Sequence, residues 1–320
     1  MKGKIKIAVK NKHIDFRFVL DRNITILTGD SGTGKTKLIN MVRDYAEGGK
    51  SSGVTLSCEK PCLVLAGKNW EYELEQTHES VVFVEESTAF LTSKAFAEAV
   101  QHSDNYYVLV TREPLPQIPY SIDSIKWISK HGKTPKIVKL HDNISVKKIS
   151  DFPYDAVIVE DSKSGFFFFQ RATESHKLEC MTAKGKSGII KLLQSSKKRR
   201  ILVIADAAAL GSEIKGLLYF RASTDKKIDF FLPESFEWLI LRSAIFDRDA
   251  DVRQKLADPV EYIDCKEYFS WERFFTALLV SASKGKPNLE YPSHKGSIPS
   301  GYLTEANIDS ILNAMNRGKQ

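Results

Sequence analysis

Cysteine, long apolar runs and low-complexity segments are all scarce in this sequence. Its 320 residues contain four cysteines, too few and too scattered for a disulfide framework. The closest pair, Cys58 and Cys62, lacks the further ligands that a zinc site needs, so free thiols are expected. No apolar run approaches the roughly 20 residues that span a bilayer, and the polar start has no signal-peptide core. These absences predict a cytoplasmic protein that does not enter a membrane.

The composition is that of a folded, water-soluble chain. Hydrophobic residues make up 42% and charged residues 27%, which excludes a disordered or fibrous protein. The length suits two domains, each able to bury its own core. The net charge of +7 agrees with a surface that meets phosphates, and equally with a basic surface that has no specific ligand.

The first 150 residues alternate strand and helix patterns. Two alternating apolar runs, within residues 4–10 and 14–20, predict an N-terminal β-hairpin. Continuous apolar runs at Ile24–Thr28, Val81–Val84 and Tyr106–Val110 predict buried strands, with helical spacing between them. Such continuous runs are typical of a parallel sheet flanked by helices.

A glycine-rich loop follows the strand at Ile24–Thr28. It consists of Gly29, Asp30, Ser31, Gly32, Thr33, Gly34, Lys35 and Thr36. The pattern G-x-x-x-x-G-K-[ST] between a strand and a helix is typical of a phosphate-binding loop, in which backbone N–H groups surround the phosphates. Lys35 is expected to reach the β- and γ-phosphates, and the Thr36 hydroxyl to bind Mg²⁺. The sequence therefore predicts ATP and Mg²⁺ as ligands.

Two glutamates follow the predicted strand at Val81–Val84. The carboxyl ends of parallel strands meet at the edge where open α/β sheets bind ligands. Glu85 is expected to hold Mg²⁺, directly or through water, and Glu86 to act as the general base that polarises the attacking water. Two solvated glutamates at a strand end are the plain alternative.

Arg112 follows the next predicted strand, where many P-loop ATPases of the additional-strand class carry a sensor of the γ-phosphate. It is a candidate catalytic residue, either in its own subunit or as an arginine finger towards a neighbour in a homo-oligomer. An ordinary surface arginine is the alternative. The tetrapeptide Thr111–Pro114 resembles part of thymidylate kinase, which makes a nucleotide kinase a rival function, although no lid-like segment is evident.

The phrase Ile24–Gly29 before the loop, together with the hairpin, resembles the opening of P-loop NTPases of the ABC and AAA-like ATPase class. The Leu-Ser-Gly-Gly signature of ABC proteins is absent. The resemblance implies an ATPase core without implying an ABC dimer.

The strand and helix alternation restarts after a lysine-rich segment, and the predicted domain boundary lies near Asp151. The expected fold class is therefore α/β throughout. A P-loop NTPase parallel sheet with an N-terminal β-hairpin occupies residues 1–150. A second α/β domain occupies residues 151–246, and a helical C-terminal region occupies residues 247–320.

The second α/β domain resembles the Toprim-like domain of overcoming-lysogenization-defect nucleases. Acidic residues follow two of its predicted strands, Glu160 after the first and Asp206 after a later one. The resemblance implies that these two residues, with Glu237 at a helix start, form a second divalent-metal site for phosphodiester chemistry. Asp161 replaces a glycine of the family pattern, and Ala208 stands where a second aspartate belongs, so the acidic set is one short.

Three functions follow as hypotheses. In the first, nucleotide state controls a Toprim-like domain that cuts or binds nucleic acid, in phage or mobile-element defence as the resemblance implies. In the second, an ATP-dependent switch or adaptor binds a protein partner through an inactive second domain. The third is a nucleotide kinase. The basic cluster Lys197–Arg200 is either solvated or in contact with a phosphate backbone.

Overall fold

The computed structural model describes residues 2–129, 134–140, 153–174, 178–293 and 296–315. The chain has an α/β fold and forms two compact units. The first comprises Met1–Asp142 and Val260–Phe269, and the second comprises Asn143–Pro259 and Ser270–Gln320. The domain boundary predicted near Asp151 lies outside the described residues. Part of the expected C-terminal helical region thus belongs to the first unit.

Nine strands and three α-helices make up the described part of the first unit. The strands are β1 (Ile5–Lys10), β2 (Asp15–Leu20), β3 (Ile24–Thr28), β4 (Thr55–Ser57), β5 (Cys62–Val64), β6 (Val81–Glu85), β7 (Tyr106–Val110), β8 (Ile125–Ser129) and β9 (Lys136–Lys139). The helices are α1 (Lys35–Gly48), α2 (Trp70–Glu75) and α3 (Lys94–Gln101).

Two sheets organise these strands. β1 and β2 pair antiparallel, which confirms the predicted hairpin, and β4 adds to the other side of β1. The second sheet has the order β5-β6-β7-β3-β8-β9, parallel except for the antiparallel edge strand β9. In this order β7 lies between β3 and β6. The strand that leads into the glycine-rich loop is therefore separated by one strand from the strand that ends in glutamates.

Helix α1 joins the two sheets of the first unit in one core. Its buried residues, Leu38, Ile39, Met41 and Val42, follow helical spacing along one face. They share a cluster with Val9 and Phe16 of the hairpin and Phe83 of β6. Full burial of each such side chain contributes about 1.5–3 kcal/mol. This packing fixes the start of α1 against the carboxyl edge of the parallel sheet.

The second unit contains an all-parallel sheet and seven α-helices among the described residues. The strands are β10 (Ala156–Val159), β11 (Glu179–Thr182), β12 (Arg200–Ile204) and β13 (Lys227–Phe231). The helices are α4 (Ser164–Glu174), α5 (Ile189–Ser195), α6 (Ile214–Ser223), α7 (Phe236–Leu241), α8 (Ala250–Ala257), α9 (Trp271–Ser283) and α10 (Glu305–Met315). The strand order is β11-β10-β12-β13. The chain therefore adds β11 on one side of β10 and then β12 and β13 on the other, so the order of the strands reverses between β10 and β12. Within the described part of the chain, no helix has the length and apolar character required to cross a membrane.

Candidate functional site

The glycine-rich loop of the first unit connects β3 directly to α1. Gly29, Gly32 and Gly34 have φ values of 155°, 78° and 103°, a backbone region that side chains with a Cβ rarely adopt. A Cβ on Gly29 would lie 2.5 Å from the backbone oxygen of Ile128 in β8. Glycine at this position is therefore required by the close approach of the neighbouring strand.

The first turn of α1 is open towards the loop. It contains no acidic residue, and no side chain caps its N-terminus. The first N–H groups of a helix have no partner within the helix and carry the positive end of its dipole. Asp30, Ser31, Gly32 and Thr36 are exposed around it. The loop and helix start together have the geometry that receives an anion.

Lys35 folds back over the loop. Its Nζ donates hydrogen bonds to the backbone oxygens of Gly29 and Asp30, at 2.6 and 2.7 Å. Partial burial lowers the pKa of Lys35, and the positive charge of Arg112 lowers it further, whereas Glu86 and Asp30 act in the opposite direction. The Lys35 ammonium group lies over the loop and donates to these two carbonyl oxygens. It is well placed to donate to phosphate oxygens in their place.

Glu86 and Arg112 contact each other because β6 and β7 are neighbours. Glu85 pairs with Val110 in register, so the residues just beyond these two strand ends meet. The Glu86 carboxylate accepts hydrogen bonds from the backbone N of Arg112 at 3.1 Å and from its Nε at 3.3 Å. The two side chains are 32% and 55% exposed, so the ion pair adds little stability. The ion pair instead fixes the position of the Glu86 carboxylate.

Lys35 lies within electrostatic range of both Glu86 and Arg112, which affect its pKa in opposite directions. These are the three candidate catalytic residues of the sequence. Glu85 is the last residue of β6 and is half-buried, and Thr36 is the second residue of α1. A hydroxyl and a carboxylate are oxygen ligands of the kind that Mg²⁺ prefers.

Two of the three acidic candidates of the second unit lie at the ends of neighbouring strands. Glu160 directly follows β10, and Asp206 is the second residue after the neighbouring strand β12. The Glu160 backbone N donates to Ile204 O at 2.8 Å. Both residues therefore lie at the carboxyl edge, where the strand order reverses and where open α/β sheets bind ligands.

Glu237 has a different environment. It lies in the first turn of α7, is 2% exposed, and accepts a hydrogen bond from the Tyr291 hydroxyl at 3.0 Å. Burial and the neighbouring Glu237 charge raise the pKa of Tyr291 well above its usual range. Across the residues that the structure describes, no three His, Cys, Asp or Glu side chains are grouped to hold a metal ion.

Asp161 and Ala208, the two departures from the Toprim-like pattern, have structural roles that the sequence did not indicate. Asp161 accepts hydrogen bonds from the backbone N atoms of Lys163 and Gly165, at 2.7 and 2.8 Å, and so holds the start of α4. Ala208 is 3% exposed, and its backbone N donates to Glu234 O at 3.2 Å. A buried methyl group therefore occupies the position at which the family pattern has an aspartate.

Lys186 is a functional candidate that the sequence did not single out. Its Nζ donates to the Ser212 hydroxyl at 2.9 Å and to Ala209 O at 3.3 Å. Burial lowers its pKa, while the charges of Glu213 and Glu160 act in the opposite direction. Lys186 and Glu160 are brought near each other by the pairing of β10 with β11 and by the hydrogen bond from Gly185 N to Glu160 O at 2.8 Å. No local sequence pattern encodes these contacts.

Neither the models of known protein families nor the curated protein sequences match this chain.

Proposed function

We propose that the first unit binds ATP with Mg²⁺ and hydrolyses it to ADP and phosphate. The observation that carries the proposal is the convergence of Lys35, Glu86 and Arg112 beside an open glycine-rich loop. The strand order supports it, because one strand, β7, separates β3 from β6. The same separation is found in the additional-strand class of P-loop ATPases, in which a γ-phosphate sensor occupies the position of Arg112.

Each residue has a distinct part in this proposal. The loop backbone and the start of α1 bind the phosphates, and Lys35 leaves its carbonyl acceptors to contact the β- and γ-phosphates. Glu86 orients a water molecule and accepts its proton as the water oxygen bonds to the γ-phosphorus. Arg112, beside Glu86, compensates the negative charge that develops on the γ-phosphoryl oxygens.

The Mg²⁺ ion fits the residues at the same edge. The Thr36 hydroxyl and the Glu85 carboxylate would hold it, and the ion would supply charge neutralisation at the phosphate oxygens. Glu85 is longer than the aspartate usual at this position, and its carboxylate would hold the ion directly or through water.

ATP binding by purified protein tests the first step. Titration calorimetry with MgATP should give a saturable signal for the wild type and none for Lys35→Ala, since the variant loses the cation that contacts the phosphates. Lys50→Ala removes a lysine just beyond the opposite end of α1 and is the matched control. Equal affinity of Lys35→Ala and the wild type would refute the proposed loop function.

For the second unit, Glu160 and Asp206 at the reversal point of the sheet favour a candidate phosphodiesterase site, as the Toprim-like resemblance implies. The matching experiment incubates plasmid DNA with Mn²⁺ or Mg²⁺ and the wild type, Glu160→Ala or Asp206→Ala. Metal-dependent nicking that both variants lose supports the site. Absence of nicking by the wild type leaves the second unit as a binding module, which is the adaptor hypothesis.

A further inference from the structure

The positive charge of the protein is concentrated in one segment of the second unit. Residues 184–227 contain eleven lysines and arginines and three acidic residues, a net charge of +8. The whole chain has a net charge of +7, so all other residues together contribute −1. A basic segment of this kind is the electrostatic feature by which proteins meet polyanions.

Six of these cations lie at the amino edge of the parallel sheet, in the turns that lead into β12 and β13. We call this surface the basic edge. Its cations are Lys197, Lys198, Arg199, Arg200, Lys226 and Lys227. The carboxylates of the same edge are Asp155, Glu179 and Asp225. Six cations and three carboxylates give the basic edge a net charge of +3.

The two turns are held together by backbone contacts. Lys227 N donates to Arg199 O at 2.8 Å, and Arg200 and Lys227 pair in register between β12 and β13. The Nζ of Lys226 donates to the backbone oxygens of Leu193 and Ser196, at 2.5 and 2.6 Å. The basic edge is thus a preformed surface on adjacent strands, and ligand binding does not have to order it first.

Local ion pairs separate the cations of the basic edge into two groups. Arg200 pairs with Asp155 at 2.8 Å, and Lys198 pairs with Glu179 at 3.2 Å. The remaining exposed cations are Lys197, Arg199 and Lys227, whose side chains have no ion-pair partner among the described residues. These three are the ones available to an external anion.

We propose that the basic edge, through Lys197, Arg199 and Lys227, binds the phosphate backbone of nucleic acid without reading its base sequence. This site lies at the edge of the sheet opposite to Glu160 and Asp206, so it is distinct from the candidate metal residues. Arginine and lysine beside each other provide both forked and point-charge contacts to phosphate. Neither turn carries an exposed large apolar side chain, which disfavours a membrane surface, where basic and apolar residues act together.

Fluorescence anisotropy with a short labelled DNA duplex, without ATP or divalent metal, tests the proposal on the full chain. The wild type should bind with a Kd of about 10⁻⁴ to 10⁻⁶ M near physiological salt, and more tightly as salt is lowered. The variant Lys197→Gln/Arg199→Gln/Lys227→Gln should bind at least about tenfold more weakly. The slope of log K against log salt concentration should fall by roughly 2 to 3, since each lost phosphate contact releases about one counterion fewer.

A second triple variant controls for net charge. Arg248→Gln/Arg253→Gln/Lys284→Gln removes three exposed cations of the same unit outside the basic edge, and it should keep the wild-type affinity and slope. Equal weakening in both variants would show that only net charge matters and would overturn the proposal. So would a wild type that does not bind DNA, or one that binds phosphatidylserine vesicles more tightly than DNA. MgATP binding is measured in parallel, so failure here is distinguishable from failure of the proposed ATPase.

Discussion

Glu86 is the residue on which hydrolysis, as opposed to binding, depends in this account. Its carboxylate is held by Arg112 beside the loop, and replacement by glutamine keeps the shape while removing the base. Glu86→Gln should therefore bind MgATP like the wild type but release phosphate at least ~100-fold more slowly, the usual range for a lost general base. Phosphate release and calorimetry on the same preparation measure both properties. Normal turnover by Glu86→Gln would show that another group activates the water.

Cys58 provides a residue-scale test of the local structure. A hydrogen bond from Cys62 is the main factor that lowers the pKa of Cys58 to about 7, and backbone N–H groups of residues 59 and 60 assist. Burial raises the pKa of Cys180 to about 11. Because the thiolate is the reactive form, alkylation of Cys58 should rise with pH to a half-maximum near 7, whereas that of Cys180 should still be rising at pH 9.

Mass spectrometry of iodoacetamide-treated peptides measures both profiles in one sample. Cys62→Ser replaces the thiol that donates the hydrogen bond to Cys58, so the pH of half-maximal alkylation of Cys58 should change. Parallel profiles for Cys58 and Cys180 in the wild type would contradict the arrangement of the two thiols.

At the scale of elements, the sequence predicts those strands that are continuous and apolar. The hairpin, β3, β6 and β7 were found because their residues follow simple periods. The sequence does not predict strand β8, because its second residue is Lys126, yet that side chain is 6% exposed. Its Nζ donates to Val19 O and lies 3.5 Å from Asp21. A buried lysine becomes compatible with a strand only when its partner is known, and that partner is about a hundred residues away.

The candidate site likewise combines a local sequence pattern with long-range contacts that the sequence does not reveal. The loop Gly29–Thr36 is a local pattern, and all of its residues lie in one short window of sequence. The contact of Glu86 with Arg112 depends on the adjacency of β6 and β7, which no window of sequence contains. For Glu237, the sequence showed an acid at a helix start, but not Tyr291, which buries it from 54 residues away.

The ion pair of Lys126 with Asp21 is expected to stabilise β8. Lys126→Met should destabilise the first unit by about 1–3 kcal/mol, because it leaves the half-buried Asp21 without its nearest cation. Lys139→Met, the matched control, removes a more exposed cation 3.8 Å from the same carboxylate and should cost less than about 1 kcal/mol. Urea unfolding measures both. The account of β8 is wrong if the two variants are equally destabilised.

At the scale of the whole molecule, the two units present different chemistry. The first carries a glycine-rich loop with a lysine, a glutamate and an arginine beside it. The second carries acidic residues at one edge of its sheet and the basic edge at the other. Each unit is an α/β structure with its site at strand ends, so strand order decides which residues meet in both.

Hydrolysis of ATP by the first unit is measured as phosphate release from MgATP by the wild type and Lys35→Ala, with and without EDTA. The wild type should release phosphate steadily and stop when EDTA removes Mg²⁺, and Lys35→Ala should release it only at the background rate. Equal release by Lys35→Ala and the wild type, or release that continues in EDTA, would contradict the proposed hydrolysis.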